Sequence, residues 1–175
     1  MDKGLIHIYT GDGKGKTTCC VGLTIRCAGN GGHVLFTQFL KDNKSSELKV
    51  LKDIPGVHLL LCDKALGFTF KMNDEQKAEV RKVCNAHFDR VTKAAMEENV
   101  DLLVMDEMMA TYNGGYVDKE KVIDFLKNKP ESMEVVMTGR NAPEELIGLA
   151  DYVSRIEKVK HPYDEGIHAR RGIEK

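Results

Sequence analysis

The sequence carries no tryptophan, no excess of either charge, no apolar run long enough to cross a bilayer and no CxxC pair. Each absence excludes something. With 26 basic and 27 acidic residues the net charge is -1, so no overall field points to nucleic acid or to an anionic membrane surface. No segment approaches the roughly 18 apolar residues of a membrane span, and Asp2 and Lys3 are followed by only a short apolar run, unlike a signal peptide. The five cysteines, Cys19, Cys20, Cys27, Cys62 and Cys84, are odd in number and unpaired in spacing. They read as small buried thiols of a reduced, cytoplasmic protein rather than as a disulfide framework or a structural zinc site. No internal repeat, low-complexity block or linker divides the chain. Its 175 residues suffice for one domain with a full core but not for two.

What is present is alternation. "GLIHIYT" reads as a buried strand, and after a glycine-rich turn "KTTCCVGLTIRCAG" reads as a helix stopped by "GNGG". "HVLFTQFL" is a second strand, and "SELKVLKDI" a helix capped by Ser45 or Ser46 and closed by Pro55-Gly56. "VHLLLC" is a third strand. After the irregular "DKALGFTFKM", Asn73 caps a long helix running to about Asn99, with Asp74 and Glu75 in its first turn. "VDLLVMDE", "MEVVMTG" and "YVSRIEKV" supply three more strands, separated by helices over "DKEKVIDFLKNK" and "PEELIGLA". The expected architecture is a single α/β domain over residues 1–175. A mostly parallel sheet of about six strands is flanked by helices on both faces, and residues 157–175 form a tail or loop.

"TGDGKGKTT", Thr10 to Thr18, nearly matches the phosphate-binding loop GxxxxGK[ST], but Thr10 stands where the first glycine belongs. The physical essentials remain. Gly11, Gly13 and Gly15 let the backbone of Asp12 to Thr18, Lys14 included, turn its N–H groups inward. Lys16 can reach phosphate oxygens and Thr17 can hold a Mg²⁺ ion. The loop follows a strand and opens a helix, so an anion would also sit at the helix N-terminus. Asp106 and Glu107 end a buried apolar strand, an expensive place for acids unless a cation or donor faces them; either could be the Mg²⁺ ligand. "MTGR" brings Arg140 to the same rim of a parallel sheet, where a guanidinium suits a phosphate. These residues together indicate binding of a Mg-nucleoside triphosphate in a P-loop NTPase-like fold.

Taken in order, "TGDGKGKTT", "TQFLKD", "LGFTF", "VMDEMMATYNGGYVD" and "VMTGRNAPEELIGLADYVSRIEKVKHPYDEGIHARRGIE" resemble the P-loop type of ATP:corrinoid adenosyltransferase, from Gly4 to Glu174. The resemblance implies that a corrinoid cobalt, reduced to Co(I), attacks the 5′ carbon of ATP and expels the whole triphosphate, giving adenosylcobalamin or a precursor. The loop would then cradle a leaving group, with Lys16, Mg²⁺ on Thr17 and Asp106 or Glu107, and Arg140 neutralising its charge. It further implies that Phe68 and Phe70 lie against the corrin and help displace its lower axial ligand, easing reduction of Co(II). Glu47 and His161 fall at family-like cofactor positions. An electron donor such as a reduced flavoprotein and a homodimeric assembly are implied as well.

The sequence departs from the family in three ways. Many relatives carry an N-terminal extension over the corrinoid site, whereas here the first strand begins at about Gly4. Tryptophan is frequent in relatives at the place of Phe70 and, as Trp-Pro, ahead of Glu47. "NGGYVD" is glycine-rich and reads as a mobile segment near the metal site. Two other functions fit parts of the sequence. Asp106-Glu107 also suits an ATPase or small-molecule kinase that orients an attacking group, although no lid with arginines is recognisable. A non-catalytic ATP- and corrinoid-binding module is the third.

Overall fold

The computed structural model describes residues 3–64 and 72–174. Six strands, β1 (Ile6–Thr10), β2 (Val34–Gln38), β3 (Val57–Leu59), β4 (Leu102–Asp106), β5 (Glu134–Thr138) and β6 (Tyr152–Arg155), form one sheet in the order β3-β2-β4-β5-β1-β6. Every pairing is parallel, as continuous apolar strands joined through helices require.

Side chains alternate across the strands and give the sheet two apolar faces. Ile6, Ile8, Leu35, Leu103, Met105, Val135 and Met137 pack with Phe88, Val91, Met108, Tyr112, Val122 and Leu126 on one face. These partners belong to α3 (Asp74–Glu97), α4 (Met108–Asn113) and α5 (Lys119–Asn128). Val34, Phe36, Leu102, Val104 and Val136 face the other way, onto Cys20 of α1 (Lys16–Gly29) and Leu48 and Leu51 of α2 (Leu48–Leu51). Burying each such side chain is worth about 1.5–3 kcal/mol. Residues from Leu102 to Met105 are at most 1% exposed, because β4 lies centrally and is covered on both sides.

Local signals account for most boundaries. The Asn73 side chain accepts from the Gln76 N–H while the Gln76 side chain accepts from the Asn73 N–H, a reciprocal cap that starts α3 at Asp74. Asp118 caps α5 through the Glu120 and Lys121 N–H groups. Four expectations need correction. The cysteines are not all buried, since Cys19 is exposed and Cys27 half-buried. Neither Ser45 nor Ser46 is the cap of α2; Glu47 holds that position without a side-chain cap bond, its carboxylate being bonded to Gln38 instead. The strand over "YVSRIEKV" is limited to Tyr152–Arg155, an edge strand exposed along its length. "NGGYVD" is anchored rather than loose, since Tyr116 and Val117 are buried and Arg81 Nε donates to the Gly115 carbonyl at 2.7 Å. The glycines there end α4, and they make a turn rather than a hinge. A sixth helix, α6 (Glu144–Ile147), links β5 to β6, and a short 3-10 turn over Pro162–Glu165 lies in the tail.

The parallel sheet gathers the carboxyl ends of all strands on one rim. The chain leaves β1 through α1 and re-enters the sheet at β2, beyond β5 and β4. The crevice at such a reversal of strand order is where open α/β sheets bind ligands.

Candidate active site

Register sets the site. Gln38 pairs directly with Asp106 across β2 and β4, and Met105 pairs with Met137, which brings Asp106 beside Thr138 on β5. Tyr9 pairs with Thr138, so the loop after β1 emerges at the same place.

The loop from Gly11 to Gly15 is shaped by the chain that follows β6. The Gly13 N–H donates to the Ile156 carbonyl at 2.8 Å. A Cβ on Gly11 would meet that carbonyl oxygen at 2.4 Å, and one on Gly13 would meet the Glu157 carbonyl oxygen at 2.6 Å. Gly15 turns into α1 with φ of 123°, a conformation closed to side chains. Thr10 needs no such freedom. It ends β1 with regular pairing, is 3% exposed, and its hydroxyl accepts from the Ala142 N–H at 3.1 Å. The residue that misses the consensus therefore ties the loop to the turn after β5.

Lys16 folds back over the loop, donating to the Gly11 and Gly13 carbonyls at 2.7 Å each. Burial and the nearby Arg140 lower its pKa from the ordinary lysine value. Arg140 itself is exposed and lies 3.7 Å from Asp12, across the mouth of the loop. Lys14 and Thr18 are exposed.

Asp106 is fully buried and held from four directions. Thr17 donates at 2.9 Å, Thr138 at 2.6 Å, Gln38 Nε2 at 3.1 Å and the Lys41 ammonium at 2.6 Å. A buried carboxylate persists only with such compensation. Burial alone would lower the Lys41 pKa; the charge and hydrogen bond of Asp106 outweigh it and raise the value. Gln38 Nε2 also donates to Glu47 Oε1 at 3.1 Å, which joins Glu47 to the cluster. Both partners of that nitrogen are acceptors, so the amide orientation is fixed. The Gln38 carbonyl oxygen is left buried with no hydrogen-bond partner among the described residues.

Glu107 is set apart from its neighbour. It adopts a left-handed backbone conformation, φ 60°, uncommon for a side-chain-bearing residue and a mark of functional rims. Its N–H donates to the Thr138 hydroxyl at 3.0 Å. Burial, then the adjacent Asp106, push its carboxyl pKa up.

The residues fit a Mg²⁺ ion. Asp106 and Thr17 are hard oxygen donors at one point beside the phosphate loop. Among the described residues no group of three or more His, Cys, Asp or Glu could hold a metal by itself. A Mg²⁺ bound through one or two carboxylates and completed by substrate phosphates suits this donor set.

Thus Gly11 to Thr18, Asp106, Glu107, Arg140 and Glu47 meet on one rim. No hydrogen bond among the described residues ties His161 to that rim; its Nδ1 accepts from the Tyr163 N–H at 3.1 Å and caps the 3-10 turn. Phe68 and Phe70 lie outside the described residues. Gln38, Lys41 and Thr138 were not singled out from the sequence. The available signal was "TQFLKD", an amide and a cation directly after an apolar strand, and a threonine ending β5 beside the β4 acids.

The model of the family described as ATP:corrinoid adenosyltransferase BtuR/CobO/CobP matches residues 2–174. The chain is 30% identical over 173 residues to a corrinoid adenosyltransferase of Escherichia coli K12, covering 99% of this chain and 86% of that protein. It is 31% identical to the corrinoid adenosyltransferase CobA of Salmonella typhimurium, with the same coverage. Against a corrinoid adenosyltransferase of Sinorhizobium it is 33% identical over 175 residues, covering 99% and 81% of the two chains. Among solved structures, the flagellar accessory protein FlaH of Methanocaldococcus jannaschii superposes with a TM-score of 0.57 at 13% identity. That match covers 89% of this chain and 72% of FlaH, and the likeness is one of fold. With the phosphate loop, the acidic strand end and the tail segments all inside the matched span, the chain belongs to the ATP:corrinoid adenosyltransferase family.

Proposed function

We propose that this protein transfers the 5′-deoxyadenosyl group of ATP to the cobalt of a Co(I) corrinoid and releases intact triphosphate. A Co–C bond forms, the C5′–O bond breaks, and its electron pair leaves on the triphosphate oxygen. The observation that carries this reading is the family match across residues 2–174, which spans every residue of the rim. The geometry supports it, because the rim gathers charge for a departing anion. Lys16 exchanges its bonds to the Gly11 and Gly13 carbonyls for phosphate oxygens, and the loop opens α1, whose N-terminus favours an anion. Arg140 closes the mouth beside Asp12. Mg²⁺, held through Thr17 and Asp106 with Glu107 facing it, would supply further charge neutralisation to the leaving group.

We extend to Phe68 and Phe70 the family role of packing on the corrin and displacing its lower ligand. Glu47 and His161 are proposed as further cofactor-side residues. The reductant is proposed to be an external donor such as a reduced flavoprotein, the assembly a homodimer, and the setting cytoplasmic, which five free thiols support.

The test is optical. Co(I) corrinoid with Mg-ATP should lose its Co(I) absorption and yield a photolabile alkylcorrinoid. Binding of both substrates without that change would make the protein a non-catalytic module. Replacing both Phe68 and Phe70 with Ala should depress turnover from Co(II) with a reductant far more than from pre-reduced Co(I); equal losses would remove the ligand-displacement role. One observation favours a second reading: the Glu107 carboxyl, with its raised pKa, could serve a hydrolase as base. Corrinoid-independent release of orthophosphate would support that alternative.

A further inference from the structure

Among the described residues the Lys41 ammonium is the one cationic group bonded to the fully buried Asp106 carboxylate, whose other donors are Thr17, Thr138, Gln38 and, at 3.9 Å, the Cys20 thiol. We infer that Lys41 is a tethered stand-in for the metal, neutralising Asp106 between turnovers and giving up that place when Mg²⁺ arrives with nucleotide. The inference rests on the reading above that Mg²⁺ is held at Asp106.

The chain is built to bring Lys41 there. β2 ends at Gln38, and the Phe39 N–H continues the ladder by donating to the Asp106 backbone carbonyl at 2.9 Å. Leu40 then takes a left-handed conformation, φ 50°, which a branched apolar side chain rarely adopts. The turn reverses the chain, and Asn43, also left-handed at φ 57°, fastens its far side by donating to the Cys62 carbonyl at 2.7 Å. Strain at Leu40 is tolerated where surrounding contacts over-determine it, and the outcome is the 2.6 Å contact of Lys41 Nζ with Asp106 Oδ2.

That contact lies in the oxygen set that fits the metal, since Thr17 Oγ1 donates to the same Asp106 Oδ2 at 3.2 Å. An ammonium and a Mg²⁺ ion cannot share it, since like charges a few ångströms apart in a dry site repel strongly. The displaced ammonium still has acids around it: Glu47, bonded to Gln38 Nε2 beside the same carboxylate, and Glu107, next to Asp106 in the chain. Lys16 is no substitute, because in this structure its ammonium is bonded to the Gly11 and Gly13 carbonyls. The consequence is conditional metal binding: Mg²⁺ alone competes poorly with a cation already in place, whereas Mg²⁺ on a triphosphate brings additional attraction to the loop. The protein would not hold free Mg²⁺ on an empty loop.

The test uses nucleotide-free full-length protein titrated with Mg²⁺, read by calorimetry and by melting temperature. Wild type should bind Mg²⁺ weakly and melt almost independently of it. Lys41→Met should bind Mg²⁺ at least tenfold more tightly and regain on Mg²⁺ addition the stability it loses without it. Lys41→Arg, which keeps the charge, should bind Mg²⁺ as weakly as wild type. Should Lys41→Met not fold in the absence of metal, folding restored by Mg²⁺ supports the inference, and no restoration overturns it. Equal Mg²⁺ affinity of wild type and Lys41→Met also overturns it. Asp106→Asn separates the two layers. If ATP binding by this variant still depends on Mg²⁺ as in wild type, the metal reading fails and the inference fails with it. If that dependence is lost while Lys41→Met shows no gain, the exchange alone is wrong.

Discussion

The two ends of the sheet treat their acidic residues differently. At the amino end, Asp101, Glu134 and Asp151 accept from backbone N–H groups of neighbouring segments: His33 at 2.8 Å, Leu5 at 2.6 Å and Ile6 at 2.8 Å. Glu134 also holds His7, and Lys129 bonds the Gly4 and Met133 carbonyls at 2.8 Å each. These carboxylates staple one strand start to the next, and backbone groups have nowhere else to go. At the carboxyl end Asp106 takes its bonds, among the described residues, from side chains alone. Side-chain donors can turn to a ligand, whereas backbone donors cannot without unravelling a strand. One end is fastened, the other can exchange partners, and only the second has the makings of an active site.

Substitutions should split along that line. The largest effect expected is from Lys16→Ala, which removes a charge-neutralising donor from the leaving group. Adenosyl transfer should fall by ~10²–10³-fold, the magnitude of deleting one preorganised donor, with a melting temperature near that of wild type. A loss of stability in proportion to activity would erase the distinction between the two ends.

His87 supports the exchanging end from behind. It is 3% exposed, its Nδ1 accepts from Arg90 at 3.2 Å, and its Nε2–H donates to the Thr37 hydroxyl at 2.7 Å, one residue before Gln38. Burial, then the Arg90 charge, lower its pKa from 6.5 to about 4. The unfolded chain therefore binds the extra proton between those values. Stability is fully present above pH 6.5 and declines as the pH falls toward 4, by up to about 3 kcal/mol. Denaturant unfolding at a series of pH values should show this slope, and His87→Gln should flatten it. An unchanged slope in the variant would assign the effect to other groups.

At the fastened end, Glu134→Ala leaves the Leu5 N–H without its carboxylate, a loss of about 1–3 kcal/mol. The melting temperature should drop while kcat stays within twofold, and a collapse of kcat in folded protein would mean that the amino end also serves the reaction. The smallest effect belongs to Thr10→Gly, which restores the consensus loop. It removes the hydroxyl that accepts from Ala142 and should cost about 1 kcal/mol of stability with ATP affinity unchanged. A gain in ATP affinity would show that Thr10 is a compromise.

Much of this was legible in the sequence. Alternation of apolar strands with helices gave the parallel sheet, and the span of α1, Lys16–Gly29, and the Asn73 cap were read directly. Local chemistry sets these features, so a single sequence displays them. That the loop, Asp106, Glu107 and Arg140 share one rim was legible as well, because a parallel sheet forces the ends of its strands to one side. Gln38, Lys41 and Thr138 were not. Their part depends on strand order and register, which pair Gln38 with Asp106 across segments 68 residues apart, and on a left-handed turn at Leu40 that no glycine announces. Glu47 was named through the resemblance alone; its bond to Gln38, like the register, comes from the fold.

The central claim is that the rim holds a triphosphate that departs whole. Phosphorus NMR of a single-turnover reaction with Mg-ATP and chemically reduced Co(I) corrinoid tests it most directly. The account predicts one inorganic triphosphate per alkylcorrinoid formed, with no ADP. ADP and orthophosphate as the primary products would contradict it.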